Sequence, residues 1–138
     1  MLKFKKLDYK FKPELGAPQI DELRLSKDYL LTFNLLGGGK GRLTFKNCIA
    51  HTLGAPNDEA FDNLHPYPES ELINYKNLGF AQGELYEVEG LATAFKRKVM
   101  SSDEITDPPF ESCRHFIFFT KEGTFQCFAT DYIFEILK

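Results

Sequence analysis

The last third of the chain constrains the fold most. Two runs, Cys113 to Thr120 (CRHFIFFT) and Thr124 to Thr130 (TFQCFAT), flank Lys121-Glu122-Gly123. Aromatic and β-branched residues in short alternating runs, separated by a glycine-bearing turn, specify a β-hairpin. If Glu122-Gly123 are the two central turn residues, Thr120 faces Phe125, Phe118 faces Cys127 and Arg114 faces Asp131. Phe116, Phe118 and Thr120 then share one face with Phe125, Cys127 and Ala129, as a core face requires. Glutamate disfavours the positive φ of such a turn, and a longer loop through Lys121 to Thr124 would shift the register.

The same pattern extends upstream. Asp21 to Ser26 alternates weakly, and Tyr29 to Leu36 and Arg42 to His51 read as strands. Gly37-Gly38-Gly39-Lys40-Gly41 between the last two fits a hairpin loop, since a phosphate cradle needs other spacing and a Ser or Thr after the lysine. Gly79 to Val88 reads as a further strand, and Tyr132 to Leu137 as a strand with a terminal helix as the alternative. Fourteen phenylalanines and no tryptophan in 138 residues support sheet. Asn57 is a suitable N-cap for a short helix with Asp58 and Glu59 in its first turn. Leu91, Phe95 and Val99 form the apolar stripe of a second short helix. The expected class is α+β: a mostly antiparallel sheet of five to six strands with two short helices, in one domain spanning 1–138.

Charge is unevenly spread around a net −3. Residues 1–12 are basic and read as an arm or an edge strand whose lysines discourage edge pairing. Residues 51–89 carry eight acids against Lys76 alone, which would repel phosphates and argues against a nucleic-acid groove there. No apolar run is long enough to span a bilayer, and the start has no apolar signal-peptide core. The cysteines, Cys48, Cys113 and Cys127, lack CxxC spacing, so neither a zinc knuckle nor a disulfide scaffold is expected, and a reducing cytoplasm is the simplest compartment. Cys127 alternates with Phe125 and Ala129 and reads as a small core residue. Cys113 and His115 share a strand face, with Arg114 opposite, but lack the positive surroundings a thiolate nucleophile needs. His51, His65 and His115 have no ligand spacing, so no metal or other cofactor is expected.

The segments Gly54 to Ala60 (GAPNDEA) with His65-Pro66, Leu85 to Val88 (LYEV), and the RHF…TFQCFA hairpin resemble a group of small uncharacterised bacterial proteins. The resemblance covers roughly residues 45–130 and implies that a shared site, if one exists, uses Asn57, Asp58, Glu59, His65, Glu87, Arg114 and His115. At the level of fold alone, the chain is similar to the immunity partners of bacterial contact-dependent toxins. The expected function is a non-enzymatic binding protein whose acidic region meets a basic partner. The alternative is a small hydrolase-like or metal-dependent enzyme using His65, His115, Glu87 and Asp58, which would require those side chains to converge. A homodimer built on the C-terminal strand is a third reading.

Overall fold

The computed structural model describes residues 3–7, 20–35, 37–53, 85–89, 108–119 and 124–137. These residues form nine strands: β1 (Lys3–Lys6), β2 (Ile20–Leu25), β3 (Asp28–Asn34), β4 (Lys40–Lys46), β5 (Ala50–Leu53), β6 (Leu85–Glu89), β7 (Arg114–Phe119), β8 (Thr124–Ala129) and β9 (Asp131–Leu137). Every pairing is antiparallel. One sheet has the order β1-β6-β7-β8-β5 and the other β2-β3-β4-β9. The protein is therefore mostly antiparallel β. The expected single sheet of five to six strands is corrected to nine strands in two sheets. The basic start supplies β1 as an edge strand, and Arg42 to His51 is two strands rather than one. The only helical piece among the described residues is a 3-10 turn over Phe110–Ser112. The helices expected after Asn57 and over Leu91 to Met100 lie outside the described residues.

The division of Arg42 to His51 has a local cause. Asn47 adopts φ 48°, a left-handed conformation that asparagine tolerates better than most residues. Its N–H donates to Asp28 Oδ1 at 3.1 Å, while the Lys46 ammonium pairs with Asp28 Oδ2. The Cys48 N–H then donates to Lys27 O at 2.8 Å. The neighbouring ribbon bends at the same place. Thr130 donates both its N–H (2.9 Å) and its hydroxyl (3.1 Å) to Lys46 O, and Asn47 Nδ2 donates to Thr130 Oγ1 at 3.3 Å. Ile49 N–H donates to Phe128 O at 2.9 Å just beyond the bend. Thus β4–β5 and β8–β9 cross from one sheet to the other side by side, paired before the corner (β4 with β9) and after it (β5 with β8).

Folding the ribbons over brings two aromatic faces together. Phe33 meets Phe118 with ring centroids 5.4 Å apart, and Phe45 meets Phe116 at 5.4 Å and Phe125 at 5.5 Å. All five rings are buried, each contributing about 1.5–3 kcal/mol through burial. The five-stranded sheet is buried on its second face too, through Tyr86, Val88, Ile117 and Phe128, which is why β7 reads as a near-continuous apolar run. Gly41 in β4 leaves room for the Phe134 ring, which a Cβ there would approach to 2.7 Å. Gly37, Gly38 and Gly39 all have positive φ, as the turn of the β3–β4 hairpin demands.

The C-terminal hairpin is present with a corrected register. Arg114 faces Ala129, Phe116 faces Cys127, Phe118 faces Phe125 and Phe119 faces Thr124. A two-residue turn would have required positive φ of Glu122. Because the displacement is two residues, each described side chain keeps its expected face.

Two outcomes follow from the corner. Thr130→Val removes the hydroxyl that joins Asn47 to Lys46 O and should cost about 1–3 kcal/mol in urea unfolding. Hydrogen bonding from Lys46 chiefly, with the Asn47 N–H, holds Asp28 below the usual carboxylate range. Asp28 therefore stabilises the fold above that range, and the contribution is lost as pH falls through the lowered value. Asp28→Asn should flatten this acid limb in urea midpoints measured between about pH 2 and 5.

Candidate functional site

Of the residues expected to form a site, Asn57, Asp58, Glu59 and His65 lie outside the described residues. Glu87 and Arg114 come together. The Arg114 fork grips the Glu87 carboxylate through Nε to Oε2 and Nη2 to Oε1, both at 2.8 Å, and Nη1 reaches Asp131 Oδ1 at 2.8 Å. Asp131 is thus a neighbour of Arg114 although the register sets Ala129 opposite: the arginine reaches diagonally past the end of β8. The guanidinium also lies 4.9 Å from the Phe116 ring centroid and 5.6 Å from that of Tyr132. Hydrogen bonding to Glu87 foremost pushes its pKa above the ordinary value, opposed by burial and helped by the charges of Glu87 and Asp131. This cluster ties β6, β7 and β9 together.

His115, the next residue along β7, faces the other side of the sheet. It is 1% exposed, with Nε2 3.0 Å from Gln126 Oε1 and its ring stacked on Phe128 at 4.4 Å. Glu87 and His115 therefore do not converge. Among the described residues, no group of three or more His, Cys, Asp or Glu is placed to hold a metal ion.

A different site lies at the corner. A cavity of about 380 Å³ is lined by Arg24, Ser26, Lys27, Asn47, Cys48 and Ile49, with Pro108. Two left-handed residues shape it: Asn47, which turns β4 into β5, and Ser26 (φ 57°), which with Lys27 closes the β2–β3 hairpin. Arg24 Nη1 donates to Cys48 O at 2.9 Å, and its guanidinium lies 5.7 Å from the Tyr29 ring centroid. Arg42, Lys46 and Arg114 each pair with a carboxylate. Among the described residues, neither Arg24 nor Lys27 does.

Titratable groups crowd behind the cavity. Tyr29 donates to Glu22 Oε1 at 2.9 Å, and its ring lies 4.0 Å from that of His51. Burial first, then the Glu22 hydrogen bond, push the Tyr29 hydroxyl up to about 12. Burial and the Arg24 charge pull His51 below its ordinary value, opposed by Glu22. Hydrogen bonding from Cys127, with the Arg24 charge, draws the Cys48 thiol down in spite of burial. Burial, then Cys48, push Cys127 well up. None of Arg24, Lys27, Cys48 or His51 was singled out as a site residue by sequence. No local sequence signal marks them.

No family model matches the chain, and neither the curated proteins nor the solved structures give a match. No helix among the described residues is long and apolar enough to cross a membrane.

Arg114→Met leaves Glu87, 8% exposed, without its cation. The expected loss in urea unfolding is about 2 kcal/mol, below the ~3–5 kcal/mol of a fully buried pair because Arg114 is partly in water. Adding Glu87→Met should recover part of that loss.

Proposed function

We propose that the protein is a binding protein whose corner cavity takes a small molecule bearing a carboxylate or phosphate. The observation that carries this reading is the pair of cationic side chains, Arg24 and Lys27, on a cavity with no carboxylate among the described residues that line it. A cavity of about 380 Å³ is of the size that holds a small ligand. The arginine fork matches carboxylate and phosphate oxygens, and lysine adds a point charge. Ser26 and Asn47 offer polar contacts, and Ile49 and Pro108 an apolar wall.

This keeps the class of binding protein expected from the sequence and moves the ligand-facing charge from the acidic stretch to the corner. Of that stretch, Glu87 is engaged by Arg114, whereas Glu89 is exposed and open to a basic partner. With short helices after Asn57 and over Leu91 to Met100, the proposed class is α+β, as in immunity-like interaction proteins.

Thermal unfolding with orthophosphate, citrate or uncharged glycerol at constant ionic strength tests the reading. At least one anion should raise the midpoint saturably, reaching about 2.7 kcal/mol of stabilisation at a hundredfold excess over Kd. Arg24→Gln should remove the response. Equal anion effects on wild type and variant, or none beyond glycerol, would contradict it.

A further inference from the structure

We propose that the protein forms a two-fold symmetric dimer through the free edge of β2, which pairs antiparallel with β2 of a second copy in a single register. β2 is one edge of the sheet β2-β3-β4-β9. Asp21 to Leu25 are all exposed, with Leu23 at 55% and Leu25 at 59%. Ser26 and Lys27 alone close the β2–β3 hairpin, so Leu25 and Asp28 form its hydrogen-bonded closing pair. Hydrogen-bonded and non-hydrogen-bonded pairs alternate along an antiparallel ladder. Asp21 and Leu23 therefore turn their N–H and C=O groups towards β3. Glu22 and Arg24 turn theirs outwards to the open edge.

Only a register that sets outward residues against outward residues can close hydrogen bonds with a second β2. Centred on Leu23, that register places Glu22 opposite the partner's Arg24, and Arg24 opposite the partner's Glu22. Each of these hydrogen-bonded pairs sets opposite charges side by side. Between them Leu23 meets the partner's Leu23 in a non-hydrogen-bonded pair, where side chains approach most closely. Sliding one copy by two residues sets Glu22 against the partner's Glu22, or Arg24 against the partner's Arg24, and like charges directly opposite destabilise a ladder. The edge thus specifies both its partner and its register, as an isologous contact requires. The side chains keep the bonds they have: Glu22 Oε1 accepts from Tyr29, and Arg24 Nη1 donates to Cys48 O. Glu22 Oε2 and the other guanidinium N–H groups are left for the partner. No other sheet edge among the described residues is self-complementary in this way. β9 carries Asp131 and Glu135 without a cation, β1 (KFKK) is cationic, and β5 (AHTL) has no carboxylate. The interface therefore lies on β2 rather than on the C-terminal strand that the sequence suggested. The dimer needs no ligand in the corner cavity, so this inference and the proposed anion site stand or fall separately.

Sedimentation equilibrium of the full chain tests this, with Glu22→Arg, Arg24→Glu and Leu23→Lys as variants whose folding is checked by circular dichroism. The wild type should sediment at twice the chain mass. Leu23→Lys, which sets two ammonium groups face to face at an exposed position, should sediment as a monomer. Glu22→Arg and Arg24→Glu should each be monomeric alone, because each sets like charges opposite. Mixed in equal amounts they should recover the doubled mass, since both cross-strand pairs are then of opposite sign again. If a variant does not fold, amide exchange of the wild type decides: the Glu22 and Arg24 N–H groups should gain protection as chain concentration rises. A wild type that stays monomeric at millimolar concentration, a dimeric Leu23→Lys, a dimer of either charge variant alone, a mixture of the two that stays monomeric, or concentration-dependent protection of β9 in place of β2 would each overturn the proposal.

Discussion

One backbone carbonyl, Lys46 O, fixes the corner at which both ribbons pass from one sheet to the other. It accepts the N–H and the hydroxyl of Thr130, while Asn47 beside it turns the chain and bonds the same hydroxyl. Two ribbons that would otherwise continue straight are bent at one place and remain paired through the bend. Without that corner, the aromatic faces of β3–β4 and β7–β8 would both be left to water. With it, Phe33, Phe45, Phe116, Phe118 and Phe125 become the two sides of one core. The polar bonds are worth about 1 kcal/mol each, and burial supplies most of the energy. The bonds decide which surfaces burial can join.

The Glu87–Arg114–Asp131 cluster serves the same architecture at the sheet rim. A bidentate arginine on a nearly buried carboxylate is costly to break and contributes little net stability against an apolar replacement. Its value is geometric: β6 and β7 belong to one sheet and β9 to the other, and a single guanidinium contacts all three.

Strands were legible in the sequence where period two and glycine punctuation coincide. The β3–β4 and β7–β8 hairpins follow from that pattern directly, whereas the segment of β9 also allowed a terminal helix. The β7–β8 register was displaced by two residues because the turn length, not the strand pattern, sets register. The break between β4 and β5 was hidden because RLTFKNCIAH keeps its apolar character across Asn47. A left-handed asparagine looks like any strand-edge polar residue until its partners, Asp28 and Thr130, are known. Glu87 and Arg114 were named from a resemblance and are joined in the structure. His115, named with them, is separated by the parity of the strand. Arg24 and Cys48 are 24 positions apart and meet only because the chain changes sheets between them. No local motif records that kind of contact.

The corner thus sets both the core and the cavity, and amide hydrogen exchange tests this most directly. The Thr130 and Ile49 N–H groups close the corner on Lys46 O and Phe128 O. If both sheets depend on it, these two amides should exchange only through global unfolding, with the same free energy and denaturant dependence as the central amides of β7 and β8. Exchange of Thr130 and Ile49 through a low-energy local opening, independent of denaturant while the β7–β8 amides stay protected, would contradict the account.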